Sequence, residues 1–172
     1  MWTTLELLSK VKDTRKAVVV LTDGVDEQLL GDGEDGSRRS FDELIGRISE
    51  EDVTIYPIHL NPELPRILER INIPNLPEEA RERLRDRRLR PHATALKQLE
   101  RMAEETSGVV FKANDESDLD GVYQRVAAEL RLLYSLAYSP ESGEKDGKFR
   151  KIGVEVRRDG VITRTRRGYY AK

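Results

Sequence analysis

The chain has 172 residues, 37% hydrophobic and 36% charged, with 30 Lys and Arg, 32 Asp and Glu, and no cysteine. That length fits one domain, or one domain with a small appendage, and the apolar residues fall in periodic segments able to form a core. A net charge of -2 argues against a globally basic nucleic-acid binder, no apolar run approaches the ~18 residues of a membrane helix, and the missing cysteines exclude disulfide frameworks, thiolate metal sites and cysteine nucleophiles.

Met1-Trp2-Thr3-Thr4 lacks the basic-then-apolar start of a signal peptide, and the compartment stays open. Leu5, Leu8 and Val11 follow helical spacing, so a short helix feeds the first strand. Lys16 to Thr22 is a continuous β-branched run, as in a parallel strand buried on both faces. A Gly- and Asp-rich loop follows, Asp23 to Arg39, in which six carboxylates up to Asp35 meet no basic residue. Ser40-Phe41-Asp42-Glu43 reads as a capping box, and Phe41, Leu44, Ile45 and Ile48 give the stripe of a helix packed on a sheet. Val53 to Leu60 is the next strand, with incomplete pairing expected at Pro57, which has no N–H to donate.

Residues 61–92 are the least regular stretch, broken by Pro62, Pro65, Pro74, Pro77 and Pro91. Within it, Glu78 to Arg90 is a highly charged exposed helix with pairs such as Glu79–Arg83. Leu96, Leu99, Ala103 and Thr106 mark a following helix, with Gly108 as its C-cap. Val109 to Lys112 is a third short strand. Ser117 then caps a helix carrying Leu119, Val122, Val126, Leu130 and Leu133. This alternation of helix and strand argues a three-layer α/β fold with a mostly parallel sheet.

The tail reads differently. Leu133 to Tyr138 has strand character, and Phe149–Arg158 and Val161–Tyr169 flank Asp159-Gly160, a two-residue hairpin signal. Pairing Arg158 with Val161 sets Glu155 opposite Arg164 and Val154 opposite Thr165. One face then holds Ile152, Val154, Val156, Val161, Thr163 and Thr165, and must lie on something. From Lys148 to Lys172 nine basic residues stand against two acidic ones, a net +7 that leaves -9 on residues 1–147. Much of that positive charge belongs to the solvent face of the hairpin.

Asp23 is the leading candidate for chemistry, because ligands of parallel α/β sheets bind beyond the carboxyl ends of strands. By position it is either a site residue or a turn and cap residue. His59 and His92, the only histidines, read as structural or surface residues, and no Ser-His-Asp order, HExxH or Walker loop occurs. Asp32-Gly33-Glu34-Asp35-Gly36 lacks the spacing of a calcium loop.

Arg15 to Gly24 with its Thr22-Asp23-Gly24 end, then Ser40 to Leu44 and Val53 to Ile58, resembles the second half of a von Willebrand factor type A domain. Tyr134 to Pro140, Gly147 to Ile152 and Arg164 to Tyr170 look like the end of a bacterial subfamily abundant in acidobacteria. The resemblance covers most of the chain outside residues 61–92. It implies a Rossmann-like partial domain over residues 1–132 and an antiparallel β-hairpin extension over 133–172. It further implies a non-enzymatic, adhesion-type protein-interaction module, whose relatives are often exported.

In that family a metal-ion-dependent adhesion site holds Mg²⁺ through an Asp-x-Ser-x-Ser loop, a Thr in a later loop, and the Asp of Thr-Asp-Gly. Only Asp23 carries over as a metal ligand. No Asp-x-Ser-x-Ser is present, and Thr3 and Thr4 stand too close to the strand to replace the family's Thr. The chain is therefore expected to lack a tightly bound ion. It is also expected to lack the family's first strand, which would lie beside residues 17–22, so that edge awaits a protein partner: a second copy or a missing N-terminal half. The alternatives are an enzyme using Asp23 on a phosphorylated substrate, and binding of an acidic polymer by the basic tail.

Overall fold

The computed structural model describes residues 1–26, 38–71, 73–132, 134, 136–140 and 145–171. Its elements run α1 (Trp2–Leu8), β1 (Ala17–Thr22), α2 (Phe41–Glu50), β2 (Thr54–Leu60), α3 (Glu63–Ile71), α4 (Glu78–Glu105), β3 (Phe111–Ala113), a 3₁₀ turn (Glu116–Asp118), α5 (Leu119–Arg131), β4 (Phe149–Lys151) and β5 (Gly168–Tyr170). Two separate sheets result: β1, β2 and β3 parallel in that order, and β4 with β5 antiparallel.

Side chains alternate between the two faces of the parallel sheet. On one face Val18 and Ile55 join Leu5 of α1, Ile45 and Ile48 of α2, and Leu99 and Met102 of α4 in one buried cluster. On the other, Tyr56, Ile58, Phe111 and Ala113 are covered by Val122 and Val126 of α5. The capping box that opens α2 is complete: Glu43 N donates to Ser40 Oγ and Ser40 N to the Glu43 carboxylate.

Strand β1 departs from the expectation of burial on both faces. Val19 and Leu21 are 42% and 44% exposed. They share the face of Tyr56 and Ile58, their partners in register, but the α5 cluster over that face involves β2 and β3 and stops short of β1.

Backbone direction in β1 follows from one bond. Thr54 N donates to Lys16 O at 3.0 Å, and Ala17 registers with Thr54. In a parallel ladder bonding groups alternate, so Val18, Val20 and Thr22 point N–H and C=O at β2, while Ala17, Val19 and Leu21 point theirs outward. Among the described residues no strand pairs with that outward edge.

The same alternation explains Pro57. Its missing N–H lies on the β3 side of β2, where pairing begins only at Ile58 with Phe111, so the ladder to β1 runs through unbroken. One residue pair earlier on that side, Ile55 N donates to Thr106 Oγ1 at 3.0 Å, and Thr106 Oγ1 lies 3.1 Å from Met102 O. A buried threonine at the end of α4 thus satisfies the one central-strand amide that β3 does not reach.

The end of α4 is also a correction. Ser107, not Gly108, takes the left-handed conformation, with φ +59°. Ser107 N bonds Glu104 O and Gly108 N bonds Ala103 O, a Schellman closure with Ser107 at its left-handed position. Gly108 is needed for a different reason: a Cβ there would stand 1.8 Å from Ile55 O.

Other expectations shift by local chemistry. The two helices expected on either side of Pro91 are one helix of 28 residues with Pro91 inside it, where the loss of one backbone bond is tolerated. The ion pair near its start joins Arg81 to Glu78 at 2.8 Å, in place of the Glu79–Arg83 pair expected. The third strand begins at Phe111, two residues later than expected. Asp115, not Ser117, caps the turn into α5 through its side chain, which accepts from Ser117 N. The strand expected over Leu133 to Tyr138 lies partly outside the described residues, and residues 134 and 136–138 belong to no strand.

The tail hairpin keeps its expected register. Phe149, Arg150 and Lys151 face Tyr170, Tyr169 and Gly168, the continuation of Arg158 opposite Val161. Only its open end is strand, extended by Ile152 N to Arg167 O at 3.0 Å. The apolar face is covered at the base alone: Ile152 and Thr165 line a groove of about 700 Å³ against α2 and α4, while Val156 and Val161 are exposed.

Replacing Thr106 by Val, which keeps the shape and removes the acceptor, is expected to lower unfolding free energy by about 1–3 kcal/mol, the cost of an orphaned buried N–H. Thr106→Ser is expected to retain most of the stability. Urea unfolding of the two variants checks this, and equal midpoints would contradict it.

Candidate functional site

The carboxyl ends of β1 and β2 bring together Asp23, His59, Asn61 and His92. Thr22 registers with His59, so Asp23 emerges beside it. Asp23 is exposed, and its Oδ1 accepts from Val25 N at 3.1 Å while Thr22 Oγ1 accepts from Gly24 N at 2.9 Å. These side-chain-to-backbone bonds shape a turn. Gly24 completes it at φ +74°, packed so closely on α4 that a Cβ would lie 2.9 Å from Leu99 Cδ1. Of the two readings open for Asp23, the turn role is the one its contacts display.

His59 sits half-buried on β2, with its Nε2 buried and without a partner among the described residues. Burial pushes its pKa below the ordinary histidine value and Lys112 adds to this, while the Asp23 carboxylate and a backbone hydrogen bond to Asp23 oppose it. Asn61 is only 6% exposed. Its Oδ1 accepts from Leu64 N at 3.0 Å in the first turn of α3, which leaves Nδ2 to donate to His92 Nδ1 of α4 at 2.7 Å. His92 therefore ties α4 to the exit of β2. Sequence reasoning passed over Asn61, although Asn followed by Pro62 and Glu63 is a helix-start pattern. Its histidine partner, 31 residues away, has no sequence signal.

These groups do not make a magnesium cradle. Mg²⁺ asks for octahedral oxygen and is held through one or two carboxylates together with its waters. Asp23 offers one exposed carboxylate with one oxygen already engaged, and its neighbours bring nitrogen in place of oxygen donors: the His59 imidazole, and the His92 imidazole already bonded to the Asn61 amide. Among the described residues no three His, Asp or Glu side chains are grouped to hold a metal. The Asp32–Gly36 stretch lies outside the described residues, as does most of the acidic loop.

No family model, curated protein or solved structure matches the chain.

The basic tail is partly neutralised. Lys148 and Arg150 each approach Asp146 at 3.2 Å, Arg167 pairs with Glu105 at 3.0 Å, and Arg164 pairs with Glu129. The Arg167 and Arg164 pairs hold the hairpin against α4 and α5, and all four leave less charge for a polyanion. No helix among the described residues is long and apolar enough to cross a membrane.

The depressed His59 pKa carries a pH signature. The unfolded chain takes up the imidazole proton first, so the stability tied to His59 is complete above about pH 6.5 and is lost as pH falls through the lower folded value. His59→Gln is expected to flatten the dependence of the melting temperature between pH 7.5 and 5.5, and an unchanged slope would contradict this. Calorimetric titration with Mg²⁺ is expected to give no saturable heat at micromolar ion, and a one-site micromolar isotherm would overturn the reading of Asp23.

Proposed function

We propose that this chain is a non-enzymatic protein-interaction module of the von Willebrand factor A type, with a Rossmann-like sheet, that takes up a protein partner by strand addition at β1. Asp23 is then the single carboxylate remaining at an incomplete metal-ion-dependent adhesion site, and binding does not depend on an ion. The order β1-β2-β3, with Asp23 at the carboxyl end of β1, is compatible with the last three strands of that family's sheet.

One observation carries the reading. The outward N–H and C=O groups of Ala17, Val19 and Leu21 coincide with the exposed side chains of Val19 and Leu21, so an edge that no strand among the described residues pairs and an exposed apolar strip lie on the same strand. Main-chain bonding along such an edge supplies affinity and the alternate side chains supply selectivity.

Val19→Pro tests this without dismantling the sheet. The Val19 N–H is not part of the ladder to β2, and proline is accepted on strand edges where its nitrogen faces outward. Panning a random-peptide display library on the immobilised chain is expected to enrich extended, β-branched peptides that bind the wild type and lose binding to the proline variant, whose circular dichroism stays unchanged. Failure to enrich such peptides, or peptides indifferent to the proline, would contradict the reading.

A further inference from the structure

We infer that the strand received by β1 is β1 of a second copy, paired antiparallel about a twofold axis normal to the sheet with Val19 opposite Val19. This inference rests on the strand-addition reading above and specifies its partner.

Charge chooses the partner and the direction. Lys10, Lys12, Arg15 and Lys16 lead into β1 with one acidic residue, Asp13, among them in sequence and Asp52 beside them in space, a net positive entrance, whereas Asp23 and Asp26 follow the strand. A parallel copy would set the basic entrance beside a basic entrance and the acidic exit beside an acidic exit. An antiparallel copy sets each entrance beside an exit, so the segment is complementary to itself. Opposite charges facing across strands are favourable and like charges are not.

Symmetry and backbone direction then choose the register. A twofold axis normal to the sheet keeps each face on its own side, so opposed residues must both belong to the same face. That allows pairing centred on Val19 or on Val20. Centred on Val19, Ala17 faces Leu21 and Arg15 faces Asp23. The outward N–H and C=O of Ala17, Val19 and Leu21 then all find partners within the strand residues, because these three point away from β2. Centred on Val20, Ala17 would face Asp23, which has already left the strand for its turn. The Val19 register alone unites the hydrogen bonds with the charges. It also sets the exposed Val19 against Val19 and each exposed Leu21 against Ala17 of the other copy, covering the apolar strip next to Tyr56 and Ile58. The interface is isologous, as a twofold dimer requires.

The absence of cysteine gives a direct test. In a hydrogen-bonded antiparallel pair the Cα atoms stand about 5.5 Å apart, within disulfide range. Val19→Cys introduces a sole thiol opposite its own copy, and mild oxidation of the full chain is expected to give a covalent dimer. Val20→Cys, whose side chain is on the packed face and is not opposite itself, is expected to stay largely monomeric. Light scattering of the wild type from low to high micromolar concentration is expected to show the mass doubling, and Val19→Pro to hold the single-chain mass with unchanged circular dichroism. A wild type monomeric throughout, with no dimer of Val19→Cys, would overturn self-pairing. If edge-binding peptides were then still recovered, strand addition would stand with another partner; if none were, both would fall. A dimer that survives Val19→Pro, or oxidation favouring Val20→Cys, would overturn the interface or its register.

Discussion

Strand β2 is hydrogen-bonded on both sides, and the direction in which each of its backbone groups points arranges everything around it. Thr54, Tyr56 and Ile58 face β1, and Ile55, Pro57 and His59 face the other way. On that second side β3 supplies partners only from Ile58 onward. The earlier positions are handled one by one: Thr106 accepts from Ile55, and Pro57 has no N–H to satisfy. Because Thr106 belongs to the end of α4, the strand's hydrogen bonding and the helix's placement are a single interaction. The close approach of Gly108 to Ile55 O is its steric counterpart.

The opposite side of β2 has the reverse character. β1 is fully paired inward and presents its remaining groups outward, and the two sheet faces are covered unequally. α1, α2 and α4 cover Val18 and Ile55, whereas α5 covers Tyr56 and Ile58 but leaves Val19 and Leu21 to solvent. An exposed apolar edge strand is a hazard for a free protein and an asset for one that docks. The flanking charges, basic before and acidic after, distinguish this edge from an indiscriminate one. At the carboxyl end of the same strand Thr22 and Asp23 shape a turn, and Asn61 joins α3 to His92 of α4; under the proposal, recognition therefore runs along the strand and not at its tip.

Much of this was legible in the residues themselves. The Ser40–Glu43 box, the stripe from Phe41 to Ile48 and the Asp159-Gly160 turn are local signals, and local signals fix cap, face and register without reference to distant parts of the chain. Two caps were misplaced by one or two residues, Gly108 for Ser107 and Ser117 for Asp115, but the larger failures were long-range. The run Lys16 to Thr22 has the composition of a strand buried twice, but burial depends on which helix reaches it, and α5 does not. Pro91 has the sequence appearance of a break, yet packing of Leu99 and Met102 on the sheet carries the helix through it. The hairpin register was readable although its strands were overextended, since only the base touches the helices. At the candidate site Asp23 was found by position, while the Asn61–His92 bond joined residues that nothing in the sequence connects.

Residue-resolved amide exchange of the dilute, monomeric chain measures the central feature directly. Val18, Val20 and Thr22, bonded to β2, should exchange slowly, and Ala17, Val19 and Leu21 should exchange at rates close to those of unprotected amides. Equal, strong protection at all six positions under those conditions would mean that the outer edge is already paired within one molecule, and the account of an open strand would be wrong.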